Sequence, residues 1–143
     1  MSLTLDQALT IARVALAEGR ERGFAPLCVA VLDGGGHILA LLRDETASIG
    51  RPQIATAKAA GCLAMGFGGR ELARRAQAVP HFFAALPAIF PNGIVPVAGG
   101  VLIRDASGAL VGALGVTGDT SDNDEICALA GIAAAGLSGD SGA

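Results

Sequence analysis

A glycine-rich hairpin near the C-terminus constrains the fold of this chain more than any other feature. Residues 95–118 have the pattern of two strands rich in β-branched residues, joined by a turn at residues 105–108. Five glycines lie inside these strands or at their ends: Gly99, Gly100, Gly112, Gly115 and Gly118. Because glycine weakens a strand, such a set indicates bulges or points where another segment approaches the backbone closely.

A second, shorter hairpin and a helix are predicted in the first third of the chain. Residues 27–43 form two apolar runs around the glycines at 34–36, which is typical of a hairpin turn. Before this hairpin, Thr4 and Gln7 have the spacing of a helical capping box. We expect that helix to end just before Gly23, which suits the left-handed position after a last turn.

Four further helices are predicted downstream. Pro52 suits the first turn of a helix of small residues that extends to Met65, and shorter helices are expected over 70–77 and 80–87. The last helix begins near Ser121. Helical spacing predicts that its buried face consists of Ile126, Leu129, Ala130 and Ala133.

The order of these elements predicts the fold class. Helix, hairpin, helices, hairpin and helix give an α+β layered domain, with an antiparallel sheet of about five strands and helices on both faces. Hairpins need no crossover connections, which argues against a doubly wound parallel sheet. At 143 residues, the chain is expected to form a single domain over 1–143, with residues 138–143 as a loose tail.

Composition limits the classes of partner. Hydrophobic residues make up 52% of the chain and charged residues 16%, which is apolar for a monomer and predicts a homo-oligomer formed through the Ala/Gly-rich helices. No apolar run is long enough for a membrane span, and the N-terminus lacks a signal-peptide pattern, so a cytoplasmic location is expected. A chain whose leader had been removed would look the same. The net charge of −3 and the absence of Trp and Tyr argue against nucleic-acid binding.

Cysteines and glycine clusters have simple structural interpretations. Cys28, Cys62 and Cys127 lack any CxxC spacing and are expected to be reduced, buried apolar residues rather than zinc ligands. The glycines at 34–36 and at 99–100 match neither phosphate-binding pattern, so they are interpreted as turn and bulge residues.

An aromatic segment contains the first candidate binding residue. His81 is adjacent to Phe82 and Phe83, and Phe90 follows shortly after. A histidine among aromatic rings could line a flat apolar pocket or act as a ligand to a haem iron. The alternative is a partly buried structural histidine.

Charged residues at the first hairpin offer a different chemistry. Arg43 could hold a carboxylate, with Asp44, Glu45 or His37 as the proton carrier of an active site. The same residues could equally form a solvated cluster of ion pairs. Which of the two holds depends on whether these side chains converge.

Two further residues are candidates for contact with a ligand. Lys58 lies in the predicted helix that follows the first hairpin and adds to the charge there. Thr117 closes the second hairpin just before the last helix, where backbone donors form a modest anion site. Together with His81, Phe82 and Phe83, they make up the predicted cofactor-binding set.

A series of short motifs extends along nearly the whole chain. They are DGGGHILA at 33–40, RDET at 43–46, IATAKA at 54–59, GGVLI at 99–103, GALGVTG at 112–118 and DEICA at 124–128. In type and order these motifs resemble the GlcG/HbpS-like family, which also forms the C-terminal domain of PduO-type proteins. Three positions depart from the family pattern: residues 44–46 replace Asp-Gly-Ala, Leu102 replaces Pro, and Thr117 replaces Ser.

The resemblance implies a fold and a leading function. It implies a profilin-like layered domain that assembles into dimers or higher oligomers and binds haem or another tetrapyrrole. The iron ligand differs among relatives, so the candidate ligand His81 comes from the aromatic segment and not from the resemblance. Some relatives are linked to haem breakdown or redox sensing, and others belong to glycolate or corrinoid operons. The alternative function is a small enzyme that acts on an organic acid or aromatic metabolite in a catabolic operon.

Overall fold

Five strands form one antiparallel sheet in the order β2-β1-β4-β3-β5. The structure is a computed structural model that describes residues 2–143. Its elements are α1 (Leu5–Glu21), β1 (Cys28–Asp33), β2 (Ile38–Arg43), α2 (Arg51–Met65), α3 (Gly69–Ala78), α4 (Pro80–Ala85), a 3₁₀ turn (Leu86–Ala88), β3 (Gly100–Arg104), β4 (Leu110–Thr117), α5 (Ser121–Ala134) and β5 (Ser138–Asp140). The predicted α+β class and the antiparallel sheet are confirmed.

Both faces of the sheet are covered by helices. Val29 and Val31 of β1 pack into a core shared with α1 and α5, whereas Leu32 packs into a second core on the opposite face, with α2. This alternation follows from the two-residue period of a strand. The result is the three-layer arrangement predicted from the order of elements.

The first helix begins where its sequence predicts. The Gln7 amide donates to Thr4 Oγ1 at 3.1 Å, and the Thr4 amide donates to Gln7 Oε1 at 3.0 Å, which completes the capping box. Gly23 follows the helix at φ 72°, a conformation that favours glycine.

Gly115 confirms that a glycine in the second hairpin permits a close approach. Any side chain at this position of β4 would overlap the backbone carbonyl of Ala55 in α2. The helix therefore rests directly on the strand, and this contact fixes the depth at which α2 lies on the sheet.

The predicted buried face of α5 is wrong. Cys127, Ala128 and Ile132 are fully buried, whereas Ile126 is 37% exposed. Gly131 explains the rotation, because its bare backbone lies against the carbonyl of Ile11 in α1. Leu129 and Ala130 are half-buried, and Ala133 is exposed.

The predicted loose tail is wrong for residues 138–140. These residues form the edge strand β5, in which Ser138 pairs with Arg104 of β3. The carboxylate of Asp140 accepts hydrogen bonds from Arg104 Nε and Nη2, both at 3.2 Å. The segment is polar and short, so it carries no hydrophobic alternation that would have predicted a strand.

Within residues 2–143, no helix combines the length and apolar character that crossing a bilayer requires.

Candidate functional site

An open groove lies along one flank of α2. It consists of two adjoining clefts, of about 310 Å³ and about 480 Å³, that share Pro91 and Asn92. We call it the α2 groove. Its first cleft is lined by Gly34, Gly35, Gly36, Ala60, Leu63, Ala64, Phe90, Pro91, Asn92 and Gly93, and its second by Leu41, Pro52, Gln53, Thr56, Pro91 and Asn92.

Three segments that are distant in sequence build most of this groove, and Leu41 of β2 completes it. Helical spacing aligns Gln53, Thr56, Ala60, Leu63 and Ala64 on one side of α2. The turn between β1 and β2 forms one wall and is made of glycines, so it adds little bulk. The loop at 90–93 forms another wall.

The lining of the α2 groove is uncharged. Among the described residues that line it, the polar side chains are those of Gln53, Thr56 and Asn92, and none is ionisable. Its large apolar side chains are those of Leu41, Leu63 and Phe90. Each cleft falls in the range of about 300–1,000 Å³ that is typical of small-molecule sites. The groove therefore suits a flat, apolar ligand better than a small organic acid.

Lys58 and Thr117 lie in the interior and not in the groove. Lys58 Nζ donates to the carbonyl of Val116 at 2.9 Å and to Asp124 Oδ2 at 3.2 Å. Burial lowers the pKa of Lys58 and raises the pKa of Asp124, and the attraction between the two charges opposes both shifts. Thr117 Oγ1 accepts a hydrogen bond from Arg51 Nη1 at 2.8 Å. Contact of Lys58 or Thr117 with a ligand stays a prediction.

The aromatic segment divides between surface and core. His81 is exposed at the start of α4, and Phe82 is 55% exposed. Phe83 is buried, and its ring meets that of Phe82 edge to face with centroids 5.8 Å apart. Phe90 is the phenylalanine that lines the α2 groove, and His81 does not line it. The role of His81 as an iron ligand stays a prediction.

Arg43 and Asp44 order the loop after β2. Arg43 Nη1 donates to the carbonyl of Ala47 at 2.9 Å and to two other carbonyls of the same loop. Asp44 accepts hydrogen bonds from the amide and hydroxyl of Thr46 and from Arg20 Nη2, and these lower the pKa of its carboxyl from 3.8 to about 2. Both side chains therefore have partners within the fold.

His37 lies at the other end of β2. Its side chain is 81% exposed, and its Nδ1 is 3.2 Å from Asp33 Oδ1. Arg43 is six residue steps further along the strand, or roughly 20 Å away. Glu45 is exposed in the loop near Arg43. The structure therefore does not bring His37 together with Arg43, Asp44 and Glu45 at one cavity.

The three cysteines are free and buried, as predicted. Burial raises the pKa of Cys62 to about 12 and the pKa of Cys127 to about 11. Such thiols hold their protons and react slowly. In the part of the chain that the structure describes, no three potential ligand residues cluster as a metal site would require.

Sequence reasoning missed most of the groove residues. The turn at 34–36 and the ring of Phe90 were each recognised, but nothing local indicates that they face the same flank of α2. The available signal was the set of small residues Thr56, Ala60 and Ala64. Their helical spacing places them on one side of α2, where they leave room for a ligand or a neighbouring segment.

The elements and the groove define the class of this protein: a small three-layer α+β domain with an open, uncharged, mainly apolar groove beside one helix. Residues 3–133 match the family described as haem degrading protein, HbpS-like. The chain belongs to this family, and the resemblance drawn from its motifs is confirmed.

Solved structures with the same fold include one determined as a complex with haem. HbpS is 32% identical, with 93% of this chain and 89% of that chain covered and a TM-score of 0.80. A PduOC–haem complex is 23% identical, with 96% and 97% covered and a TM-score of 0.84. The ORFY protein of Klebsiella pneumoniae is 21% identical, with 94% and 90% covered and a TM-score of 0.83. The last two likenesses show the fold alone. No curated protein sequence matches this chain significantly.

Proposed function

We propose that this protein binds haem in the α2 groove. The observation that carries the proposal is the uncharged, mainly apolar lining of that groove, in a chain that belongs to the HbpS-like family. A porphyrin ring is flat and apolar over most of its surface, so burial of the ring against Leu63 and Phe90 would supply the binding energy. Charged substituents at the edge of the ring would stay in solvent at the open side.

Haem handling is the role that we infer from this arrangement. An open groove leaves part of its ligand exposed, which suits a protein that takes up haem and releases it to another site. The buried thiols of Cys62 and Cys127, with their raised pKa values, give no support to redox sensing through cysteine oxidation.

A pair of matched substitutions tests the proposal. Ala64 lines the groove and is exposed, so Ala64→Trp fills the groove without disturbing the core. Ala17 is exposed on α1, on the opposite side of the sheet, and Ala17→Trp is the control. Hemin is titrated into each protein while the Soret band is recorded.

The wild type and Ala17→Trp should both show a saturable Soret shift at one hemin per chain. Ala64→Trp should weaken the binding at least tenfold, which corresponds to about 1.4 kcal/mol. The absence of a saturable shift in the wild type would refute haem binding. Equal affinity in the two variants would show that haem binds elsewhere than in the α2 groove.

A further inference from the structure

The α2 groove offers surface for a ring but no ligand for a metal. Among the described residues that line it, none is His, Cys or Met, and none is a carboxylate. These are the side chains that bind iron in most proteins, with Tyr as a further example, and the sequence contains no Tyr. The residues of the groove thus fit the porphyrin of haem and do not fit its iron.

Potential iron ligands near the groove are placed elsewhere. His37 lies beyond the 34–36 turn, where it faces Asp33. It lines a neighbouring depression that shares Gly34 and Gly35 with the groove, but it does not line the groove itself. Cys62 is on α2 but is fully buried toward the core, and its raised pKa keeps the thiol protonated.

Contact with the ring is therefore the source of affinity in this groove. The α2 residues from Gln53 to Ala64 span roughly 17 Å along the helix axis, which gives a long, shallow contact surface. The side chains of Ala60 and Ala64 are small and leave room for a ring above the helix, and Phe90 and Pro91 border this surface. Each of these contacts depends on the shape of the macrocycle and on its apolar area.

We propose that the α2 groove recognises the tetrapyrrole ring independently of its central metal. The ligand class is then porphyrins in general, including metal-free and zinc forms, and bound haem keeps an iron coordination position that no side chain of this chain occupies. This inference rests on the proposed function, because it concerns the same groove.

Three ligands separate the contribution of the ring to binding from that of the metal: hemin, protoporphyrin IX and zinc protoporphyrin. The fluorescence of protoporphyrin IX and of zinc protoporphyrin reports their binding, and the Soret band reports the binding of hemin, because the iron of hemin quenches its emission. Dissociation constants are measured for the wild type and for Ala64→Trp, His37→Ala and His81→Ala. Added imidazole then probes the bound hemin for an open iron position by its absorption spectrum.

We expect the three dissociation constants to agree within about threefold and Ala64→Trp to weaken all of them alike. His37→Ala and His81→Ala should leave the hemin spectrum unchanged, and imidazole should shift it in every protein. Hemin binding that is more than about thirtyfold tighter than that of protoporphyrin IX would overturn the inference while leaving haem binding intact. A hemin spectrum altered by either histidine substitution would do the same. If none of the three ligands binds the wild type, the proposed function fails as well.

Discussion

Lys58 is a charged residue of α2 whose side chain is buried in the interior of the protein. It is the one lysine in the sequence, its exposure is 3%, and its ammonium group bonds to a carbonyl of β4 and to Asp124 of α5. The pair thereby joins α2, β4 and α5 at one point. The sequence could not predict this role, because Asp124 is 66 residues away and nothing local pairs the two.

Removal of the lysine should destabilise the protein strongly. Lys58→Met leaves the Asp124 carboxylate buried without its counter-charge, and we expect the free energy of unfolding to fall by about 3–5 kcal/mol. Urea unfolding followed by circular dichroism measures the change.

Two variants serve as controls for the ion pair. Arg13→Met removes an exposed charge from α1 and should change the free energy of unfolding by less than about 0.5 kcal/mol. The double variant Lys58→Met/Asp124→Leu should recover part of the loss, because no unpaired charge remains. A loss for Lys58→Met no larger than that for Arg13→Met would show that the buried pair is not structural.

Helices and strands were largely predictable because their signals are local. The capping box of Thr4 and Gln7, the turn at 105–108 and the run of small residues before Met65 each lie within one element. The orientation of α5 was not predictable in this way. Its rotation is set by the contact of Gly131 with the backbone of α1, which lies more than a hundred residues earlier.

Two isoleucines of α5 test its observed orientation. Ile132 is fully buried and Ile126 is 37% exposed. We expect Ile132→Ala to lower the free energy of unfolding by about 2–5 kcal/mol, because it leaves a cavity in the core between α1, α5 and the sheet. Ile126→Ala should cost less than about 1 kcal/mol. Denaturant unfolding of both variants measures the two losses of free energy. A larger loss for Ile126→Ala than for Ile132→Ala would support the buried face predicted from the sequence.

At the scale of the whole molecule, the fold follows from the sequence, whereas the α2 groove does not. The order of elements predicts the layered sheet, but the groove needs the turn at 34–36, the flank of α2 and the loop at 90–93 to meet in space. The binding residues were predicted from their chemistry alone. The structure shows that most of them contact other residues of the fold. Assembly into a homo-oligomer stays a prediction, as does a cytoplasmic location.

The central claim is that a porphyrin occupies the α2 groove, and the most direct test is to locate the bound ligand by NMR. Protoporphyrin IX is diamagnetic, and its ring current shifts the amide resonances of the residues beside it. In a ¹⁵N-labelled sample we predict the largest shifts at Ala60, Leu63 and Ala64 and in the glycine turn at 34–36. The largest shifts around His81 in α4, or across α1 and α5, would contradict the account.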